Sequence, residues 1–166
     1  MREIAFEIWQ NAPVWVWPLF FFLLFIGLKA MRTRNSSIIP YFFYPLLGLA
    51  AANANSGLAQ VSTGWLVFAF SYLLGAAVAF RWQDGLILEK SGWNMTLQGD
   101  RITIVILMLI FFSNFINGVL GAIAPHFIEA TAYTVIFNAV IGACSGSFTG
   151  RTLRVITLGK RSTTAA

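Results

Sequence analysis

His126 and Glu129 stand one helical turn apart, just after Pro125. An imidazole and a carboxylate at that spacing share a helix face. They read either as a proton-responsive polar pair, as two ligands of a metal, or as a polar turn at a membrane interface. A catalytic zinc takes three protein ligands, and His126 is the only histidine, so the metal reading lacks its third ligand and bis-histidine haem is excluded. Cys144 is the only cysteine, so there is no disulfide framework and no Cys-based metal or redox pair within the chain. Between Ala143 and Ser145 in an apolar run it reads as a small packing residue.

Two further groups stand out within apolar runs. Asn114 and Asn117, with Gly118 and Gly121, fall within about 100° of one another on a helix. Their amides need partners in an apolar medium, and Asn138 at similar depth is the expected one. This trio reads as interhelical packing that fixes register, or as the lining of a polar path. The second group is Asn138, Gly142, Gly146 and Gly150, at steps of four. Such a row drifts by only about 40° per step. It forms a groove of small residues that lets another helix approach closely. Ser71, Gly75 and Ala79 make a weaker version of the same groove. The spacing does not say whether the two grooves meet within one chain or between chains. Gly146→Leu is expected to disrupt assembly or folding.

These residues need elements to hold them, and the elements are membrane helices. Apolar residues are 58% of the chain and charged residues 10%, against about 25% charged in a soluble domain. The apolar runs consume most of the 166 residues. Five spans are predicted, over 13–29, 38–54, 64–80, 102–124 and 130–148, each near the length that crosses hydrocarbon. Pro40 suits the first turn of the second span, and Pro45 lies one turn deeper. Ten of the eleven basic residues then fall on one side. Lys29, Arg32 and Arg34 follow the first run; Arg81, Lys90 and Arg101 lie between the third and fourth; Arg151, Arg154, Lys160 and Arg161 follow the fifth. The positive-inside rule makes the chain polytopic, N-terminus out and C-terminus in. Trp9, Trp15, Trp17 and Trp65 mark the outer interface and Trp82 the inner one. Glu3 and Glu7 offset Arg2, so the first run reads as a signal-anchor rather than a cleaved leader.

The expected fold is a single all-α domain, 1–166, a bundle of five transmembrane helices with a short cytosolic hairpin-like loop over 81–101. Within that loop, strands over 86–90 and 93–97 flank Ser91-Gly92, which puts Leu88 opposite Met95 and Leu86 opposite Leu97. A lone hairpin is marginal in water, so it must lie on its own helices or on a partner. Asp84, Glu89 and Asp100 balance Arg81, Lys90 and Arg101 and read as a solvated surface with local ion pairs. The outer connections over 53–63 and 125–129 are short.

The net charge of +5 is spread over three inner stretches, where it orients the chain and meets anionic lipid; it makes no clustered nucleic-acid face. No span carries an ionisable residue in its central part, which argues against a proton-coupled pump. There is no Walker loop, dinucleotide fingerprint or nucleophile elbow. No enzyme activity, cofactor or metal is expected.

Several boundary motifs resemble a family of small uncharacterised bacterial inner-membrane proteins. They are Ala12-Pro13-Val14-Trp15-Val16-Trp17, Gly27-Leu28-Lys29 with Arg32 and Arg34, and Ile39-Pro40. Ile106-Leu107-Met108-Leu109 with Phe111 and Phe112, and Ser145-Gly146, Gly150-Arg151 and Leu153-Arg154, complete the set. The family's Pro-Gly-Ser turn before the fourth span is replaced here by Leu97-Gln98-Gly99-Asp100. The resemblance implies a bacterial inner-membrane location and carries over no catalytic residue. A more distant likeness is to small membrane proteins associated with cytochrome c maturation. The expected function is a non-enzymatic accessory subunit or self-associating membrane protein, with lipid and a second copy or another membrane protein as partners. A small facilitator for an uncharged or apolar solute, lined by Asn114, Asn117 and Asn138, is the other reading.

Overall fold

A computed structural model describes residues 16–37, 61–91 and 93–157. In chain order the elements are α1 (Val16–Ala30), β1 (Arg34–Ser37), α2 (Val61–Leu86), β2 (Ile87–Ser91), β3 (Asn94–Leu97), α3 (Ile102–Ile123), α4 (Pro125–Ile128) and α5 (Thr131–Thr157). The predicted span over 38–54, with Pro40 and Pro45, lies outside the described residues, as do residues 13–15 of the first span. Among the described residues three helices, α2, α3 and α5, are long and apolar enough to cross a membrane; α1 is apolar but shorter.

The third and fifth spans are longer than expected. α2 runs to Leu86, so residues 81–86 are helical rather than loop. α5 runs to Thr157, which takes Gly150, Arg151 and Arg154 into the helix. The predicted ends fall at 80, just before Arg81, and at 148, three residues before Arg151. Here Arg151 and Arg154 continue the helix because each meets a carboxylate from elsewhere in the chain. α3 begins where expected and ends one residue earlier, at Ile123. The 125–129 connection contains a single helical turn opened by Pro125, whose missing N–H costs nothing at that position.

Contacts fix the relative directions of the helices. Gly64, Phe68, Tyr72 and Ala76 of α2 meet Asn138, Gly142, Gly146 and Gly150 of α5 in order, so these two helices are parallel. Gly27 of α1 meets Ile104 of α3, and Phe20 meets Phe111 with ring centroids 5.4 Å apart, so α1 and α3 are antiparallel. Thr103 of α3 meets Arg151, and Asn117 meets Tyr133, so α3 is also antiparallel to α5. The bundle is therefore two helix pairs, α1/α3 and α2/α5, joined along α3 and α5. Ile106, Leu107, Cys144 and Phe148 form that joint, with Leu23 and Ile26 packed against it. α5 is the central helix. Its apolar window is 56% buried, against 17% for α2 and α3.

A three-stranded antiparallel sheet in the order β1-β3-β2 caps the basic end of the bundle. The hairpin forms, in a different register from the expected one. Lys90 faces Met95, Ile87 faces Leu97, and an irregularity falls between Ile87 and Glu89. Leu88 consequently lies on the exposed side while Ile87, Met95 and Leu97 bury themselves against Val155 of α5. The hairpin thus rests on its own helices. β1 was not expected. Arg34–Ser37 pairs with β3, and Thr96 donates to Asn35 across the polar face at 2.9 Å.

Candidate functional site

The described residues place a buried charged node where α1, α3, α5 and the end of α2 converge. Asp100 precedes α3, and one carboxylate oxygen accepts the N–H of Ile102 at 2.8 Å. This satisfies one of the free donors that open any helix. The other oxygen accepts from the Thr103 hydroxyl at 2.9 Å and from Arg151 Nη1 at 2.9 Å. Arg151 Nη1 also donates to the Thr103 hydroxyl at 2.8 Å. The two charged side chains are only 6% and 8% exposed. Burial alone would push the Asp100 carboxyl up. The Ile102 N–H, the Arg151 charge and the Thr103 hydroxyl outweigh it and hold the group below its ordinary value. Asp100 was expected on a solvated surface; the structure instead buries it, because Arg151 reaches down from α5 to neutralise it.

The backbone ties α1 into the same node. The Asp100 N–H donates to the Ala30 carbonyl at 2.9 Å. Gly99 lies directly on the Met31 carbonyl, where any Cβ would collide with backbone. Gln83 of α2 closes the remaining side and is 1% exposed. Gln83, Ala30, Leu97, Asp100 and Arg151 line a cavity of about 20 Å³, room for about one water. Gln83 Oε1 and Arg151 Nε have no hydrogen-bond partner among the described residues. The node thus pairs a carboxylate with a guanidinium that neutralise each other, beside room for about one water. Its chemistry is that of a clamp between elements.

A second, half-exposed pair lies nearby. Arg154 donates to Asp84 Oδ1 through Nη2 at 2.7 Å and through Nε at 3.2 Å. Its guanidinium also sits 5.1 Å from the Phe80 ring centroid. Lys90 Nζ donates to the Val155 carbonyl at 2.6 Å, tying the hairpin to the last turns of α5.

The small-residue groove is filled from within the chain. A Cβ on Gly142, Gly146 or Gly150 would fall on the carbonyls of Phe68, Tyr72 and Ala76 respectively. From the other side, Gly75 lies on the Ala143 carbonyl and Ser71 lies beside Gly142. Ala79 is buried one turn further on. The Tyr72 hydroxyl and Thr149 Oγ1, 2.6 Å apart, share a hydrogen bond across the seam.

The three asparagines do not converge. Asn138 is fully buried against Gly64 and donates to its own Thr134 carbonyl at 2.8 Å. Asn114 donates to its own Ile110 carbonyl at 2.8 Å. Asn117 accepts from the Tyr133 hydroxyl at 3.0 Å. The expected bond from Asn138 to α3 is replaced by local ones, because α2 rather than α3 covers that face of α5. Asn138 Oδ1, Thr134 Oγ1 and Ser145 Oγ have no partner among the described residues. His126 and Glu129 are both exposed, and the imidazole lies 4.3 Å from the Phe127 ring. No group of metal-ligating side chains occurs among the described residues.

Sequence reasoning missed the node. The available signal was opposite charge: Asp100 sits just before α3 and Arg151 just beyond the expected end of an antiparallel span, so both fall at one level. No family model, curated protein or solved structure matches the chain.

Proposed function

We propose that the chain is a bacterial inner-membrane protein of five crossings, N-terminus out and C-terminus in. It works without catalysis, as an accessory subunit or by self-association. The alternating directions of α1, α3 and α5, with α2 parallel to α5, fit odd-numbered crossings running one way. The basic ends then share one face, as the positive-inside rule requires. The observation that carries the functional reading is the clamp itself. The described buried ion pair joins α3 to α5 beside a cavity with room for about one water. With the glycine groove covered by α2, association falls to the outer faces, such as Phe21, Phe22 and Phe25 of α1 and Leu66, Phe70 and Leu73 of α2, all exposed.

Purification from native membranes in a gentle detergent, read by intact-complex mass spectrometry, tests this. A second protein at fixed stoichiometry, or a defined self-oligomer, is the expected result. A lone monomer carrying a small solute would overturn it. Polar atoms of Asn138, Thr134 and Ser145 that have no partner among the described residues favour the alternative, a facilitator for an uncharged solute. Single cysteines at 114, 117 and 138, in a Cys144→Ala background, decide between them. All three reacting with a water-soluble thiol reagent would mean a wet path.

A further inference from the structure

Six of the described cations at the basic end divide into two sets. Arg151, Arg154 and Lys90 are engaged within the chain. Lys29, Arg32 and Arg101 are exposed and make no ion pair among the described residues. The backbone brings this second set to one junction. The Asp100 N–H bonds to the Ala30 carbonyl, and Gly99 lies against the backbone of Met31 and Arg32. The end of α1, which carries Lys29 and Arg32, therefore lies beside the start of α3, which carries Arg101. No described acid compensates them. Asp100 is buried and neutralised by Arg151, Asp84 is paired with Arg154 on the other helix pair, and Glu89 lies on β2, separated from β1 by β3.

We infer that Lys29, Arg32 and Arg101 form a site for the headgroup phosphate of an anionic phospholipid. Guanidinium groups match phosphate oxygens in geometry as well as charge. The neighbouring positions of both helices carry exposed apolar side chains, Leu28 on α1 and Ile102 and Val105 on α3. A ligand placed there meets three cations at one end and hydrocarbon along the rest, the polarity of a phospholipid at the leaflet surface. A free anion would use the first part and leave the second unexplained. Arg81 is also exposed, but it lies on α2, in the other helix pair, one turn from the Arg154–Asp84 ion pair. It is the internal control.

The inference rests on the membrane reading, and the tests separate the two. Release of the full chain from membranes by alkaline carbonate would refute the membrane reading and the site with it. If the chain stays in the pellet, its thermal unfolding is followed in neutral detergent with phosphatidylglycerol, phosphatidylcholine or inorganic phosphate. Native mass spectrometry counts the lipid retained. Phosphatidylglycerol is expected to raise the midpoint and stay bound, while the other two do neither. Arg32→Gln with Arg101→Gln should abolish that rise and leave the lipid-free midpoint in place; Arg81→Gln should keep the rise. A double variant that retains the full rise, or an Arg81→Gln variant that loses it equally, overturns the site. A rise with inorganic phosphate alone overturns the lipid as its ligand. If the double variant does not fold, Lys29→Gln at an exposed helix end must by itself reduce the phosphatidylglycerol retained, and unchanged retention refutes the proposal.

Discussion

Adding one methyl group at Gly146 should separate the two central helices. An ideal Cβ there would lie 2.7 Å from the Tyr72 carbonyl carbon and 2.9 Å from its Cα, and nearer still to the carbonyl oxygen. These are backbone atoms of α2 and cannot swing aside as a side-chain end would. The seam must open by roughly half an ångström or more, and a gap of that size forfeits about a quarter to a half of each dispersion contact along it. Overpacking of this kind costs about 1–3 kcal/mol. The gain in helix propensity from Gly to Ala, about 1 kcal/mol, offsets part of it. Gly146→Ala should therefore destabilise by about 1–2 kcal/mol net, and Gly146→Leu by more. Gly118→Ala is the matched control, because a Cβ at that position meets nothing within 4 Å. It keeps the propensity gain without the clash. Thermal unfolding in detergent should lower the midpoint for Gly146→Ala and leave it level or raised for Gly118→Ala. Equal midpoints for the two variants would refute the packing argument, since the propensity term is common to both.

The node supports three further predictions. Asp100→Asn leaves the Arg151 charge buried without its counter-ion and should cost about 3–5 kcal/mol, most of it regained when Arg151→Met is added; a double variant no more stable than the single one, in the same unfolding assay, would count against the pair. Because the Asp100 carboxyl is held below its ordinary value when folded, its contribution to stability is complete above about pH 4 and is lost as pH falls through the folded value. The midpoint should fall on the acid side of that limit, and Asp100→Asn should remove this component of the fall. Gln83→Met deletes an acceptor that has no partner among the described residues and replaces it with an apolar side chain of similar length. It should be neutral or stabilising by up to about 1–3 kcal/mol, and a clear loss of stability would mean that Gln83 Oε1 is bonded after all.

The elements most legible in the sequence were those whose limits coincide with a change of polarity. α3 is such a case: Asp100-Arg101 precede it, Pro125 follows it, and no charge lies between. α2 runs on past Arg81, which makes no ion pair among the described residues, so a charge alone does not end that helix; α5 runs on because its charges have partners to meet. Arg151 has Asp100 and Arg154 has Asp84, and neither pairing is visible without the tertiary fold. The hairpin was legible from Gly92 and its apolar flanks. Its register was not, because the irregularity between Ile87 and Glu89 shifts which residues face inward. β1 gave no signal at all, since Arg34-Asn35-Ser36-Ser37 has no apolar alternation and pairs only because β3 offers an edge.

The placement of the glycine row has a physical reason beyond close packing. Parallel helices align their dipoles side by side, and antiparallel ones oppose them. The antiparallel pair α1/α3 accordingly tolerates bulky contacts, with Phe20 set against Phe111 and Phe112. The parallel pair α2/α5 lacks that help. There Gly142, Gly146 and Gly150 present bare Cα–H groups to the carbonyls of Phe68, Tyr72 and Ala76. Weak Cα–H···O contacts of this sort contribute about 0.5–1 kcal/mol each. Three in a row offset an unfavourable alignment that larger residues could not. At the end of the row away from the basic face the roles are exchanged: α5 carries the bulkier Asn138, and α2 supplies Gly64 to receive it. The step of four is thus kept on both helices, and the glycine moves to whichever strand of the seam needs the space.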